Sequence, residues 1–284
     1  MIPVSKSKLH GERFWQVSRL PLLVLALGLT LVPVYWMINT SLKTQVEVFA
    51  APPTLYPERP VLDNYISLFT RRNLGAYLFN SVVIVSSSVL LAMAFGSVAA
   101  YALARFHLGS MQERISIWVL APRMIPPVAL VVPLFLMLQH LGLINKCPGL
   151  ILVYTGLNLP FVVWMMRSFF QEIPIDLEEA AMVDGATRLR SFWDIVLPLA
   201  APGLVATAIF SVIVTYNEFF FALILTSTPA AATLPVGTAA LIGKTQTLFG
   251  EMAAAGVVAT VPLIVFALVV QRHLVRGLTM GAVK

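Results

Sequence analysis

Two charged side chains, Arg123 and Glu218, lie inside long apolar runs of this 284-residue chain. An ionised group at that depth in a membrane is costly and normally faces a cavity, another protein group or a nearby interface. Pairing of the two, which would organise the interior, is the preferred reading. Arg123 can instead hold an anionic or hydroxyl-rich solute, because a guanidinium grips carboxylate, sulfonate or phosphate through two N–H groups. Arg123, Tyr216, Asn217 and Glu218 are the candidate pore or solute residues, Tyr216 as an aromatic face. A second concentration of polar groups is EEAAMVDGATRLRSFWDIVLP, Glu178–Pro198.

Other chemistry finds no pattern. His10, His107, His140 and His273 are scattered, with no HExxH spacing, and Cys147 is the single cysteine. No disulfide within the chain and no metal site is expected. The triplet GKT at Gly243–Thr245 would need a glycine five residues earlier to make a phosphate loop, and Thr238 stands there. The chain is therefore expected to carry no catalytic residues, to bind no cofactor and not to hydrolyse ATP itself.

What must position these groups follows from composition. The chain is 58% hydrophobic and 11% charged, against roughly 25% charged in soluble domains. A helix needs about 20 predominantly apolar residues to cross a bilayer, and such stretches occur at 17–38, 77–103, 115–138, 149–169, 200–225 and 252–270. Helices satisfy their own backbone polar groups in lipid. The expected fold class is thus an all-α membrane protein, one domain over 1–284 with six transmembrane helices. The first run follows Lys6, Lys8, Arg13 and Arg19 like a signal peptide, but it is too long and ends in bulky VYWMINT, so a retained helix is expected.

Of the 19 Lys and Arg residues, twelve fall on the side of the N-terminus, six on the other, and Arg123 within a span. That bias predicts both termini in the cytoplasm. The pI near 9.7 then reflects anchoring to membrane lipid and calls for no nucleic acid.

Proline marks the connections and breaks. Pro52, Pro53, Pro57 and Pro60 predict an extended first outer loop, while Pro126, Pro127 and Pro133 interrupt the third span and Pro160 the fourth. Ala92, Gly96 and Ala100 form a small-xxx-small series that admits a close helix, either inside the chain or from another subunit.

The polar island reads as helix–turn–helix. Asp176 with Glu179 three residues later predicts a capping box, Gly185 a turn with positive φ, and Pro198 the stop of a second short helix begun at Thr187. The residues Glu179-Ala180-Ala181, Gly185, Ile195 and Leu197-Pro198 fill every position of EAA-x3-G-x9-I-x-LP. This resembles the EAA signature of ABC-importer permeases. Over essentially its whole length the chain is similar to the maltose-transporter-like carbohydrate branch, with TSLK at Thr40–Lys43, NS at Asn80-Ser81, AYALAR at Ala100–Arg105, YNEFFFAL at Tyr216–Leu223, TLPVG at Thr233–Gly237 and a terminal RGLTMGAVK. That branch usually has Trp where Tyr216 stands, and the stretch APRMIPP around Arg123 is less typical of it.

The resemblance implies the type I ABC-importer permease fold in a bacterial inner (cytoplasmic) membrane. It implies that loop 171–198 docks into a separate ATPase, with Glu179, Ala180, Ala181, Asp184, Gly185, Ile195, Leu197 and Pro198 as coupling residues. Implied partners are a second homologous permease, an ABC ATPase homodimer carrying ATP and Mg, and an extracytoplasmic solute-binding protein. Leu234, Pro235, Val236 and Gly237 become binding-protein contacts, and Gly281, Ala282, Val283 and Lys284 either an ATPase-contacting tail or a disordered end. The implied solute is a sugar, glycoside or polyol, and Arg123 tilts this toward an anionic derivative such as a sulfosugar or sugar phosphate. The competing reading is a stand-alone ion- or proton-coupled secondary carrier, which would show inverted repeats and midplane charges.

Overall fold

The computed structural model describes residues 6–106, 109–242 and 248–280, with side chains from 21 to 270 except 110, 112 and 113 within those ranges. Gly281, Ala282, Val283, Lys284, His107 and the triplet at 243–245 lie outside the described residues.

Among the described residues every regular element is helical. In chain order they are α1 (Lys6–Ser41), α2 (Gln45–Val48), α3 (Asp63–Thr70), α4 (Leu74–Arg105), α5 (Ser110–Met124), α6 (Pro127–His140), α7 (Cys147–Glu172), α8 (Asp176–Val183) and α9 (Arg188–Ser191). A π-helical turn, Phe192–Val196, follows, then α10 (Leu197–Leu199), α11 (Ala201–Tyr216), α12 (Phe220–Leu225), α13 (Leu234–Ala239) and α14 (Phe249–Met280). Among the described residues, four helices are long and apolar enough to cross a membrane, Pro21–Ser41, Leu74–Arg105, Cys147–Glu172 and Phe249–Val270, and up to six spans result if each of two bent pairs counts as one.

The bends correct two of the continuous runs read from composition. In the run 115–138, α5 and α6 meet at 95°. Pro126 and Pro127 supply no amide hydrogen, and a residue before proline is pushed out of the helical region, as the extended backbone of Ile125 and Pro126 shows. The run 200–225 is not one helix. A 73° bend precedes Ala201, and Asn217–Phe219 separates α11 from α12.

The chain divides into two compact units. The first comprises residues 1–72 and 241–258. Its centre is a polar hub after α1. Asn64 Nδ2 donates to the carbonyls of Ser41 and Lys43, both at 2.9 Å, and Ser41 Oγ shares a hydrogen bond with Tyr65. Glu251 accepts from Ser67 Oγ at 2.7 Å and pairs with Arg72 Nε at 3.0 Å. Buried Lys43 donates to the Thr54 carbonyl and lies over Trp36. These bonds hold the proline-rich loop, whose polar backbone the apolar helices cannot satisfy. Along α1 the apolar side chains Leu22–Val34 stay exposed in the single chain.

The second unit, residues 73–240 and 259–284, is built on α4 against α7. Ala92 and Ala100 are fully buried, and a Cβ on Gly96 would stand 2.6 Å from Val162 Cγ1. The small-residue stripe therefore serves internal packing. Removing side-chain bulk lets two backbones approach where lipid offers no hydrophobic drive between helices. Gly203 of α11 meets the ring of Phe169 in the same way.

Gly96→Leu should overpack this contact and destabilise the unit by roughly 1–3 kcal/mol. Gly156, with nothing within 4 Å of its absent Cβ, should tolerate alanine and gain about 1 kcal/mol of helix propensity. Thermal melting in detergent reads both, and equal melting of Gly96→Leu and wild type would contradict the packing account.

Candidate functional site

The Glu178–Pro198 island is anchored by a residue outside the spaced motif. Glu178 is 4% exposed. Its carboxylate accepts from Arg105 Nε and Tyr101 OH, both at 2.5 Å, and Arg105 also donates to the Ile173 carbonyl at 2.9 Å. A buried carboxylate persists only when paired and hydrogen-bonded, so the last turn of α4 fixes the first turn of α8. The expected capping box is absent: Ile175, not Asp176, precedes α8, without a side-chain cap. Asp176, Glu178 and Glu179 all fall in the first turn instead, where carboxylates suit the helix dipole.

The far end of α8 closes as a Schellman motif. Ala186 N–H bonds the Ala181 carbonyl at 2.9 Å and Gly185 N–H that of Met182 at 3.1 Å. Gly185 has φ +91° with open space where a Cβ would go, so backbone conformation, not crowding, requires glycine. Thr187 Oγ1 then caps α9 through Arg190 N–H. The π-helical turn buries Phe192 at 4.6 Å from Tyr101 and 6.1 Å from Phe170, centroid to centroid.

With the interior held, the motif faces outward. Glu179, Ala180, Asp184, Gly185 and Pro198 are exposed; Ala181, Ile195 and Leu197 are half-buried. Val183, Leu189 and Trp193 add exposed apolar area. Exposed apolar groups beside a polar rim mark an interaction surface.

The intramembrane charges converge on one cavity without pairing. A space of about 210 Å³ is lined by Arg123, Tyr154, Asn158, Thr215 and Glu218, among others. No ion pair joins Arg123 to Glu218 among the described residues, which corrects the pairing expected from sequence. Glu218 takes Tyr154 OH at 2.6 Å, Phe221 N–H at 3.0 Å and Ala222 N–H at 3.3 Å, capping α12. Asn158 Nδ2 donates to Thr215 Oγ1 and the Tyr154 carbonyl, both at 2.8 Å. Arg123 lies over Phe161 at 5.1 Å.

A family model described as binding-protein-dependent transport system inner membrane component matches residues 92–280. The chain belongs to that family. The sulfoquinovosyl glycerol transport system permease protein SmoH of Agrobacterium fabrum is 39% identical over 268 residues, 93% of this chain and 94% of that protein. The trehalose transport system permease protein SugB of Mycobacterium tuberculosis is 41% identical over 262 residues, 92% of this chain and 94% of that protein. A solved chain of a bacterial ABC transporter involved in import of the acidic polysaccharide alginate superposes with TM-score 0.76 at 21% identity, over 96% of this chain and 99% of that one. At that identity the likeness speaks for the fold alone. The chain is a multi-pass inner-membrane permease subunit of an ABC importer, which displaces the stand-alone carrier.

Two of the four pore or solute candidates leave the cavity. The permease turns Tyr216 inward, its hydroxyl on the Ala259 carbonyl at 3.0 Å. Asn217 is exposed and donates to the Ile213 carbonyl at the end of α11. Leu234 is 1% exposed, and a Cβ on Gly237 would collide with the Tyr77 ring. Both face their own unit, with Pro235 and Val236 half-buried. Asn80 donates to the carbonyls of Pro229 and Ala232, and Ser81 Oγ accepts from Leu234 N–H; the NS pair thus pins this loop to α4. Glu178, Tyr101, Tyr154 and Asn158 were not singled out from the sequence. The signal present was AYALAR, whose Tyr and Arg stand four apart on one helical face.

Breaking the Arg105–Glu178 pair by Arg105→Ala or Glu178→Ala should cost about 3–5 kcal/mol, because a buried charge loses its partner. The double variant Arg105→Met with Glu178→Leu should recover most of that. Melting of the purified permease measures it, and a double variant as unstable as either single would refute the pairing explanation.

Proposed function

We propose that this permease forms half of the pore of an ATP-driven carbohydrate importer and takes its driving motion through the Glu179–Pro198 surface. The observation that carries the reading is the arrangement of that segment: motif residues exposed on a capped helix–turn–helix, and Glu178 locked to α4 beneath them. A rigid, outward-facing element tied to a long helix suits transmission of force. The saccharides named for the relatives, sulfoquinovosyl glycerol and trehalose, support the solute class.

The assembly comprises a second homologous permease, an ABC ATPase homodimer and an extracytoplasmic solute-binding protein. ATP and Mg belong to the ATPase, and this chain binds neither. Both termini and the coupling segment lie in the cytoplasm. Closure of the ATPase dimer pushes on Glu179, Ala180, Ala181, Asp184 and Gly185 of α8 and its turn, and on Ile195, Leu197 and Pro198. The Arg105–Glu178 pair carries the displacement to α4 as a rigid-body shift. ATP then favours one orientation of the pore through its differential affinity for the two states. On the opposite side, exposed Ser227–Ala230 with Pro235 and Val236 offer contacts to the binding protein, since Leu234 and Gly237 pack inward. The segment Gly281–Lys284, by its resemblance to the family's terminal motif, supplies a further contact to the ATPase.

Gly185→Val forces a β-branched residue into φ +91°, a conformation that costs such residues of order 1–3 kcal/mol, and should deform the turn. In proteoliposomes holding the full importer, uptake is expected to fall at least about tenfold while ATP hydrolysis persists, a loss of about 1.4 kcal/mol in coupling. Uptake and hydrolysis both at wild-type levels would remove Gly185 from the coupling path.

A further inference from the structure

We propose that Arg123 is a solute-contacting residue that binds the oxyanion of an acidic saccharide, so that the cavity between α5, α7 and α11 is charge-selective. The inference rests on the importer reading and names the solute class at one of its sites. The starting observation is that Arg123 stacks on an aromatic ring and has no carboxylate partner among the described residues. Its guanidinium lies over the face of Phe161, 5.1 Å from the centroid, and Phe161 is backed by Phe210 at 4.7 Å. A cation over an aromatic face keeps its full charge and its N–H donors. No carboxylate among the described residues pairs with it.

Glu218, the other charge on the cavity, is in the opposite condition. Three donors already occupy its carboxylate: Tyr154 OH and the N–H groups of Phe221 and Ala222. It is engaged in holding α12, and its remaining capacity is small. Glu218 keeps its charge, but the charged group with hydrogen-bonding capacity left for a solute is Arg123. Around it stand neutral groups suited to hydroxyls, Asn158 and Thr215, oriented by their mutual bond of 2.8 Å. A guanidinium matches a carboxylate, sulfonate or phosphate bidentately, while the amide and hydroxyl suit sugar OH groups. An apolar cavity with a few convergent polar groups is the usual form of a small-molecule site, and this one measures about 210 Å³.

The test uses the permease with its co-purifying subunits in nanodiscs, without the solute-binding protein, so that only the pore reads the solute. The probes are glucuronate and 6-deoxy-6-sulfoglucose against glucose, with Kd measured by titration. The charged sugars are expected to bind at least about tenfold more tightly than glucose, the scale of one hydrogen bond to a charged group. Arg123→Gln should erase that ratio, and Arg123→Lys, which keeps the charge but not the fork, should retain part of it. A ratio near one in the wild type, an unchanged ratio in Arg123→Gln, or no saturable binding of either charged sugar would overturn the proposal. So would loss of the second permease from Arg123→Gln with the ratio intact, because the charge would then serve subunit pairing. Failure of the importer reading shows separately, as absence of any ATPase or second permease in the purified material, and the same titration on the chain alone still decides the role of Arg123.

Discussion

The Glu178 carboxylate, buried at the end of α4, sets the terms for the whole polar segment. A charge removed from water must keep its partners or cost several kcal/mol, so α8 cannot turn independently of Tyr101 and Arg105. Arg105 extends the constraint to Ile173. Phe192 adds a second attachment by packing against Tyr101 and Phe170. Both short helices of the segment are thus joined to the α4–α7 core, and this anchoring frees the EAA positions to face outward. Gly185 needs no close contact of its own, since its task is the backbone angle between two capped helices.

The same logic of satisfied polar groups explains the breaks in the apolar helices. Prolines at 126 and 127 end α5 and start α6 at a right angle, and irregular backbone at membrane depth is tolerated where it lines a cavity. Asn217 and Glu218 do the equivalent work between α11 and α12, with their side chains satisfying the carbonyl of Ile213 and the amides of Phe221 and Ala222. The result is a cavity lined by one carboxylate whose oxygens are largely occupied by hydrogen bonds and one guanidinium with no carboxylate partner among the described residues.

Much of this was legible in the chain itself. Long apolar runs with few charges dictate membrane helices because lipid offers the backbone no partner. The EAA spacing, the positive φ at Gly185 and the close approach at Gly96 each depend on local backbone geometry or on one residue's lack of a side chain. Those are properties a linear sequence carries. What the chain did not reveal was which of two neighbouring glutamates would be buried, that Tyr216 would turn to α14, or that Arg123 and Glu218 would share a cavity without pairing. Residues far apart in sequence decide these: Arg105 lies 73 positions from Glu178, and Tyr154 lies 64 from Glu218. Composition determined the class of fold, and the spacing of particular residues the presence of the EAA motif. Only tertiary packing could decide the partner of each buried polar group, because that choice is a competition among hydrogen bonds that exist only once the helices have come together.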